Sequence, residues 1–282
     1  MATRGEILTT LTWLIEAGAD EAITEEPVNR FRTPAPAAAQ RTAPAIPQAD
    51  NSPKSLRTVP PPAAPKLAHA AEAVSLSTPA GAARALAAGC ANLDELRQAL
   101  ISFDGCGDLK RSAKNTVFAD GTPRHGIMLI GEAPGRDEDE VGLPFVGRAG
   151  KLLDRMLQAI GLDRSKVYIT NVLNWRPPQN RDPSPEEAAA CLPFLHRHIA
   201  LAQPRLIVLL GAVSVRHVLG LSEGIMRTRG RWEVYQSPQL NQAVPVMPTL
   251  HPAFLLRQPA AKRLAWRDFL MILDKMEQLG LA

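Results

Sequence analysis

The sequence predicts an α/β fold, a parallel sheet with helices on both faces, and three observations carry that prediction. Four short apolar runs read as buried strands, at residues 126–130, 167–172, 206–210 and 244–250. Segments of helical periodicity separate them, and such alternation is the signature of parallel strands joined by crossover helices. The 25 prolines are unevenly spread, so that one block of ordinary domain size remains once the Pro-rich part is set aside.

Taken in order, residues 1–27 come first, with Leu8, Leu11, Leu14 and Ile15 at helical spacing and Gly18 as a stop. A short amphipathic helix ahead of a long tether suits a docking segment for a protein partner, centred on residues 5–18. The alternatives are that it packs on its own domain or forms only nascent structure. Residues 28–90 are rich in Pro, Ala, Ser and Thr and poor in aromatics, too little apolar surface to offset ordering entropy. They read as a disordered Pro/Ala-rich linker. Residues 91–282 are the folded domain.

Within that domain a helix is expected near residues 150–160, and another from Pro185 to Ala202 with Ser184 as N-cap and Glu186 and Glu187 in its first turn. A third follows Gly211-Ala212 to about Leu219, and a last amphipathic one spans about 260–279. A formal net charge of +4 permits a polyanionic partner without requiring one. The three cysteines make no even disulfide set, and no signal peptide or membrane-length apolar run is seen. The expectation is a cytoplasmic monomer without membrane contact.

Strand ends carry the chemistry. The first strand leads into Gly131-Glu132-Ala133-Pro134-Gly135 with Glu138-Asp139 beyond it. The second leads through Thr170-Asn171 to Arg176-Pro177-Pro178, with Asn180-Arg181 following, and the fourth into His251-Pro252-Ala253-Phe254-Leu255-Leu256-Arg257. In a parallel sheet these ends share one edge, where open α/β folds bind ligands. A carboxylate, a carboxamide, an aromatic and an imidazole would converge there.

Together with Pro144-Phe145-Val146-Gly147, these motifs resemble those of the family-4 uracil-DNA glycosylases, in the same order and spacing, from about Leu96 to Arg267. The resemblance implies a three-layer α/β/α fold around a central four-stranded parallel sheet. It also implies a monofunctional enzyme that cleaves the uracil–deoxyribose bond in DNA and leaves an abasic site. Such an enzyme extrudes its base and reads it in a pocket. Phe145 would stack on the ring, or else be an ordinary core aromatic. Asn171 would pair with uracil O4 and N3–H, or else cap a turn. His251 would donate to O2, aided by backbone near Glu132 and Ala133, or else cap a strand. Arg257, Lys262 and Arg263 suit phosphate contacts, and Phe254, Leu255 and Leu256 a wedge. Where well-known relatives carry an Asp, this chain has Ala133, leaving Glu132 or Glu138 to position water or stabilise the sugar. Glu138 could instead guard against thymine's methyl group.

The chain departs from the family at its cysteines. Family 4 typically holds an iron–sulfur cluster on four cysteines, and here the first and third positions are Phe103 and Trp175. Cys106 and Cys191 match the other two, and the spacing of Cys90 fits none. Two thiolates do not hold a cubane cluster in the usual way, so no cluster and no other metal is expected. Phe103 and Trp175 would fill the volume. No histidine lies on an inserted loop between Asn171 and Cys191, which disfavours covalent capture of DNA. Two competing readings are a non-catalytic binder of uracil-containing or abasic DNA that recruits partners through its N-terminal helix, and a nucleotide-binding domain. The latter lacks Gly-x-Gly-x-x-Gly and the P-loop Lys-Ser/Thr.

Overall fold

The computed structural model describes residues 78–281. The expected docking helix and most of the expected linker lie outside these residues.

The described chain opens with a helix, α1 (Pro79–Ala88), capped by Thr78, whose Oγ1 accepts from the Gly81 amide at 3.1 Å. Its Ala83 and Ala87 are buried. This corrects the expected linker boundary at its C-terminal end: Pro79–Ala88 is helical, with Ala83, Ala87 and the following Cys90 buried. Next come α2 (Leu93–Ser102), capped by Asn92, and the short α3 (Gly107–Ser112).

A six-stranded sheet forms the middle layer, in the order β1-β3-β2-β4-β6-β5. Strands β2 (Ile127–Gly131), β3 (Tyr168–Asn171), β4 (Leu206–Leu210) and β6 (Val244–Thr249) pair in parallel. These are the four strands expected. Two antiparallel edges extend them, β1 (Asp120–Gly121) on β3 and β5 (Glu233–Tyr235) on β6. Every residue of β2 and β4 is buried, as a strand covered on both faces requires.

Successive side chains of a strand point to opposite faces, and the core divides accordingly. Met128, Ile130, Ile207 and Leu209 meet α2, α6 (Pro185–Ala202) and α7 (Ala212–Leu219) through Leu96, Phe194 and Val215. Ile127, Leu129, Val208 and Leu210 meet α5 (Arg148–Gln158) and α10 (Lys262–Leu279) through Leu153, Leu157, Phe269 and Ile272. Three shorter helices, α4 (Arg136–Val141), α8 (Ile225–Thr228) and α9 (Pro252–Arg257), complete the domain.

Strand β2 connects through α5 to β3 on one side, whereas β4 connects through α7 toward β6 on the other. The chains leaving β2 and β4 therefore diverge at their C-terminal ends. Such a switch point opens a crevice at that edge.

Candidate active site

At this edge lies a cavity of about 390 Å³ whose walls include Glu132, Ala133, Glu138, Phe145, Asn171, His251 and Arg257. Seven of the nine residues expected to act on substrate or DNA are thus brought together. Lys262 and Arg263 are exposed on the first turn of α10 and do not line it.

Asn171 is the last residue of β3 and only 2% exposed. Its Oδ1 is buried with no hydrogen-bond partner among the described residues. A buried amide oxygen left unpaired costs about 1–3 kcal/mol, and this one sits on the wall of a cavity. Opposite it, Gly131 ends β2. A Cβ there would lie 2.4 Å from Asn171 Oδ1 and 2.6 Å from Phe145 Cζ, so only glycine lets both side chains lean in.

Phe145 has a φ of +55°, a region rarely occupied by aromatic residues. Gly150 permits it, because a Cβ at that position would meet the Phe145 carbonyl oxygen at 1.6 Å. Arg164 fixes it. Its guanidinium donates to the carbonyls of Pro144 (3.1 Å) and Phe145, and is held in turn by Asp120 (2.6 Å) and Asp154 (2.8 Å). The ring is thereby set 5.5 Å from the imidazole of His251, tilted by 31°. The sequence carries no sign of this role for Arg164, because the contacts that reach the Phe145 loop are to main-chain carbonyls, which leave no side-chain motif.

His251 is the N-cap of α9, and its Nδ1 accepts from the Ala253 amide at 3.1 Å. An accepting Nδ1 carries no proton, which places the N–H of the neutral ring on Nε2. Burial, and then the charge of Arg257, hold its pKa down to about 4. Gly211, with a φ of +98°, packs against His251: a Cβ there would lie 3.0 Å from the His251 Cβ and 3.6 Å from its ring.

The two acids differ. Glu132 is partly buried, and burial, followed by the charge of Asp182, raises its pKa, while Arg216 and Arg257 pull the other way. Glu138 has both oxygens engaged by main chain, Oε2 by the Gly135 amide (3.1 Å) and Oε1 by the Gly147 amide (2.9 Å). It ties the Glu132 loop to the Phe145 loop, a positioning task. Of the expected wedge residues, Leu255 is buried in a small cluster with Leu250 and Ala265, and Phe254 packs against it. Leu256 is 37% exposed.

Comparison with known proteins accords with this geometry. Residues 118–270, just over half of the chain, match the model of the uracil DNA glycosylase superfamily. The chain belongs to that superfamily. Its relatives include type-4 uracil-DNA glycosylases from Archaeoglobus fulgidus (41% identical over 182 residues, 63% of this chain and 90% of the relative) and Pyrobaculum aerophilum (39% over 184 residues, 64% and 92%). A third, from Sulfurisphaera tokodaii, is 39% identical over 183 residues, 63% of this chain and 82% of the relative. The matched span includes Phe145, Asn171 and His251 on the cavity wall.

The family's cluster finds a poor set of ligands here. Cys106 and Cys191 are buried with their sulfurs 3.6 Å apart. Their shared contact lowers the Cys106 pKa and, with burial, raises that of Cys191. The two remaining ligand positions hold Phe103, whose ring meets Phe194 edge-on at 5.1 Å, and Trp175, which is buried and donates Nε1–H to Thr116 Oγ1 at 3.0 Å. Cys90 turns its thiol to the Leu86 carbonyl. Among the described residues no group of three or more His, Cys, Asp or Glu side chains is arranged to hold a metal. Two thiolates and two aromatic rings do not fit a four-thiolate cluster.

Proposed function

We propose that this chain is a monofunctional DNA-repair glycosylase, hydrolysing the N-glycosidic bond of deoxyuridine in DNA to release uracil and leave an abasic site. The unpartnered Oδ1 of Asn171 carries the reading. Uracil extruded into the cavity would offer N3–H to that oxygen and O4 to the Asn171 Nδ2–H. Cytosine presents the opposite pattern, an acceptor at N3 and a donor at C4, so a fixed carboxamide rejects it. Phe145 would lie against the ring face.

As the C1′–N1 bond breaks, its electron pair leaves with uracil and charge develops around O2. The Nε2–H of neutral His251 is the donor assigned to that oxygen, with the Ala133 region of the loop alongside. A water oxygen bonds to C1′, and the carboxylate of Glu132 faces the cationic sugar and takes the water's proton. Glu138 is assigned to holding the two loops. Leu256 is assigned as the wedge that fills the gap left by the base.

Substrate DNA is the partner this chemistry requires. The finer assignments to Arg257, Lys262 and Arg263 as phosphate contacts, to residues 5–18 as a docking segment, and of the whole to a cytoplasmic monomer belong to the same proposal. No described helix is long and apolar enough to cross a membrane.

The test uses an oligonucleotide with one uracil, followed by hot alkali and quantification of strand cleavage. Many turnovers per enzyme, lost in Asn171→Ala and His251→Ala variants, support excision. Binding without turnover would transfer the assignment to a recruiting module. We also propose that excision proceeds without an iron–sulfur cluster, the aromatic rings of Phe103 and Trp175 serving as packing in its stead. Iron and acid-labile sulfide near zero in active protein would bear this out; stoichiometric iron would overturn it.

A further inference from the structure

Beside the base cavity runs a more open groove of about 340 Å³, lined by Arg148, Ala149, Ala253, Leu256 and Arg257. Ala149, Ala253 and Arg257 also line the base cavity, so the two spaces are continuous. Arg148 opens α5 and Arg257 closes α9, two helices that pack against each other at the sheet edge.

The charges are distributed unevenly between the two spaces. Glu132, Glu138 and Asp182 line the base cavity, whereas the groove has no acidic residue on its walls. Both groove arginines are exposed, and neither has an acidic partner among the described residues. Three arginines elsewhere in the domain are engaged by acids, Arg164 by two aspartates, Arg181 by Glu187 and Arg229 by Asp268, and what sets Arg148 and Arg257 apart is their place on one groove beside the base cavity. Arg257 is also near enough to the reacting centre for its charge to be felt by both His251 and Glu132.

We propose that Arg148 and Arg257 form a two-sided clamp for one backbone phosphate of the DNA strand, the phosphodiester flanking the extruded nucleotide. This rests on the uracil-excision reading. A base seated in the cavity is joined through a single sugar to its flanking phosphates, so seating it carries one of them to the cavity mouth. Two unpaired guanidinium forks there match phosphate oxygens in geometry and charge. The acids deeper in the cavity repel the same phosphate, which sets the direction in which the nucleotide enters. Leu256, on the same groove wall, would meet the neighbouring base step.

The experiment scans neutral methylphosphonates through the phosphates on either side of a single uracil in a single-stranded oligonucleotide. The full-length chain is compared with its Arg148→Gln and Arg257→Gln variants. At one position the methylphosphonate should lower wild-type kcat/KM about tenfold to a hundredfold, the scale of a lost charged hydrogen bond, while costing Arg148→Gln little more. Binding measured by anisotropy against salt should give that variant a log–log slope shallower by about 0.7, one phosphate contact on a single strand. Equal losses for wild type and variant at every position, with equal salt slopes, would overturn the clamp. Absence of uracil release by the wild type would overturn the excision reading instead, and the salt slopes would still decide the clamp.

Discussion

The guanidinium of Arg164 donates to the carbonyl oxygen of Phe145, and so a residue on the single 3-10 turn Arg164–Lys166 before β3 holds the aromatic ring of the cleft in a left-handed backbone conformation. Backbone strain of that kind costs about 1–3 kcal/mol and persists only where neighbours over-determine it. Arg164 does so with four contacts, to two carbonyls and two carboxylates. Lysine is a point donor and cannot span them. Arg164→Lys should therefore let the Phe145 loop relax and weaken inhibition by free uracil about tenfold. A lowered melting temperature with an unchanged inhibition constant would reduce Arg164 to a structural tie.

Much of this architecture is legible in the sequence where a local interaction sets it. Helix α6 starts where Ser184 and Glu187 predict, because the box they form is closed within one turn: the Glu187 amide meets Ser184 Oγ at 3.2 Å and the Ser184 amide meets Glu187 Oε2 at 2.8 Å. The four parallel strands are legible because burial on both faces demands unbroken apolar runs. Strand β1 is not, since Asp120 and Gly121 become a strand only by pairing with Ile169 and Tyr168. Helix α1 is hidden for a related reason. Its alanines match the linker's composition, and burial comes from packing against α6, a distant part of the chain. The tie that Glu138 makes between two loops is not legible, because nothing in the sequence reveals that its two oxygens accept from the amides of Gly135 and Gly147.

Asn171 sets recognition against stability. Its buried Oδ1 has no partner among the described residues, and removing an unsatisfied buried polar atom without changing side-chain size recovers part of its desolvation cost. Asn171→Leu should raise unfolding free energy by about 1 kcal/mol while abolishing uracil release. The check is urea denaturation alongside the cleavage assay. A variant both less stable and inactive would mean that the amide is structural in the free protein.

The pH profile should isolate Glu132. Its pKa is raised by burial and then by Asp182, and the mechanism uses its carboxylate. Protonation below that pKa removes the active form, so kcat/KM should rise with pH through a limb lying above the ordinary glutamate value of about 4.3. His251, held down to about 4 by burial, adds no step near neutrality. Glu132→Gln should flatten the limb while retaining residual activity. If the same limb persists in that variant, another group carries the titration.

Behind the cleft, Asp268 is fully buried and accepts from Thr249 Oγ1 at 2.7 Å and from Arg229 Nε at 3.0 Å. Arg229 also donates to the Leu264 carbonyl at 2.7 Å, so the ion pair holds Asp268 in place for the Thr249 hydrogen bond that joins the end of β6 to α10. Thr249 stands two residues before His251, and this pair is what anchors the strand end that presents the imidazole. Removing one partner strands the other charge in the interior, which costs about 3–5 kcal/mol, whereas replacing both by apolar side chains is often neutral. Arg229→Met alone should lower unfolding free energy by roughly that amount. Adding Asp268→Leu should restore most of it. The series is read by urea unfolding at neutral pH, with uracil release from the double variant as the second observable. A single variant costing less than about 1 kcal/mol, as exposed pairs do, would show that the pair is solvated in solution. Recovery of stability without recovery of activity would show that the polar link, beyond filling space, sets the register of Thr249 and with it the position of His251.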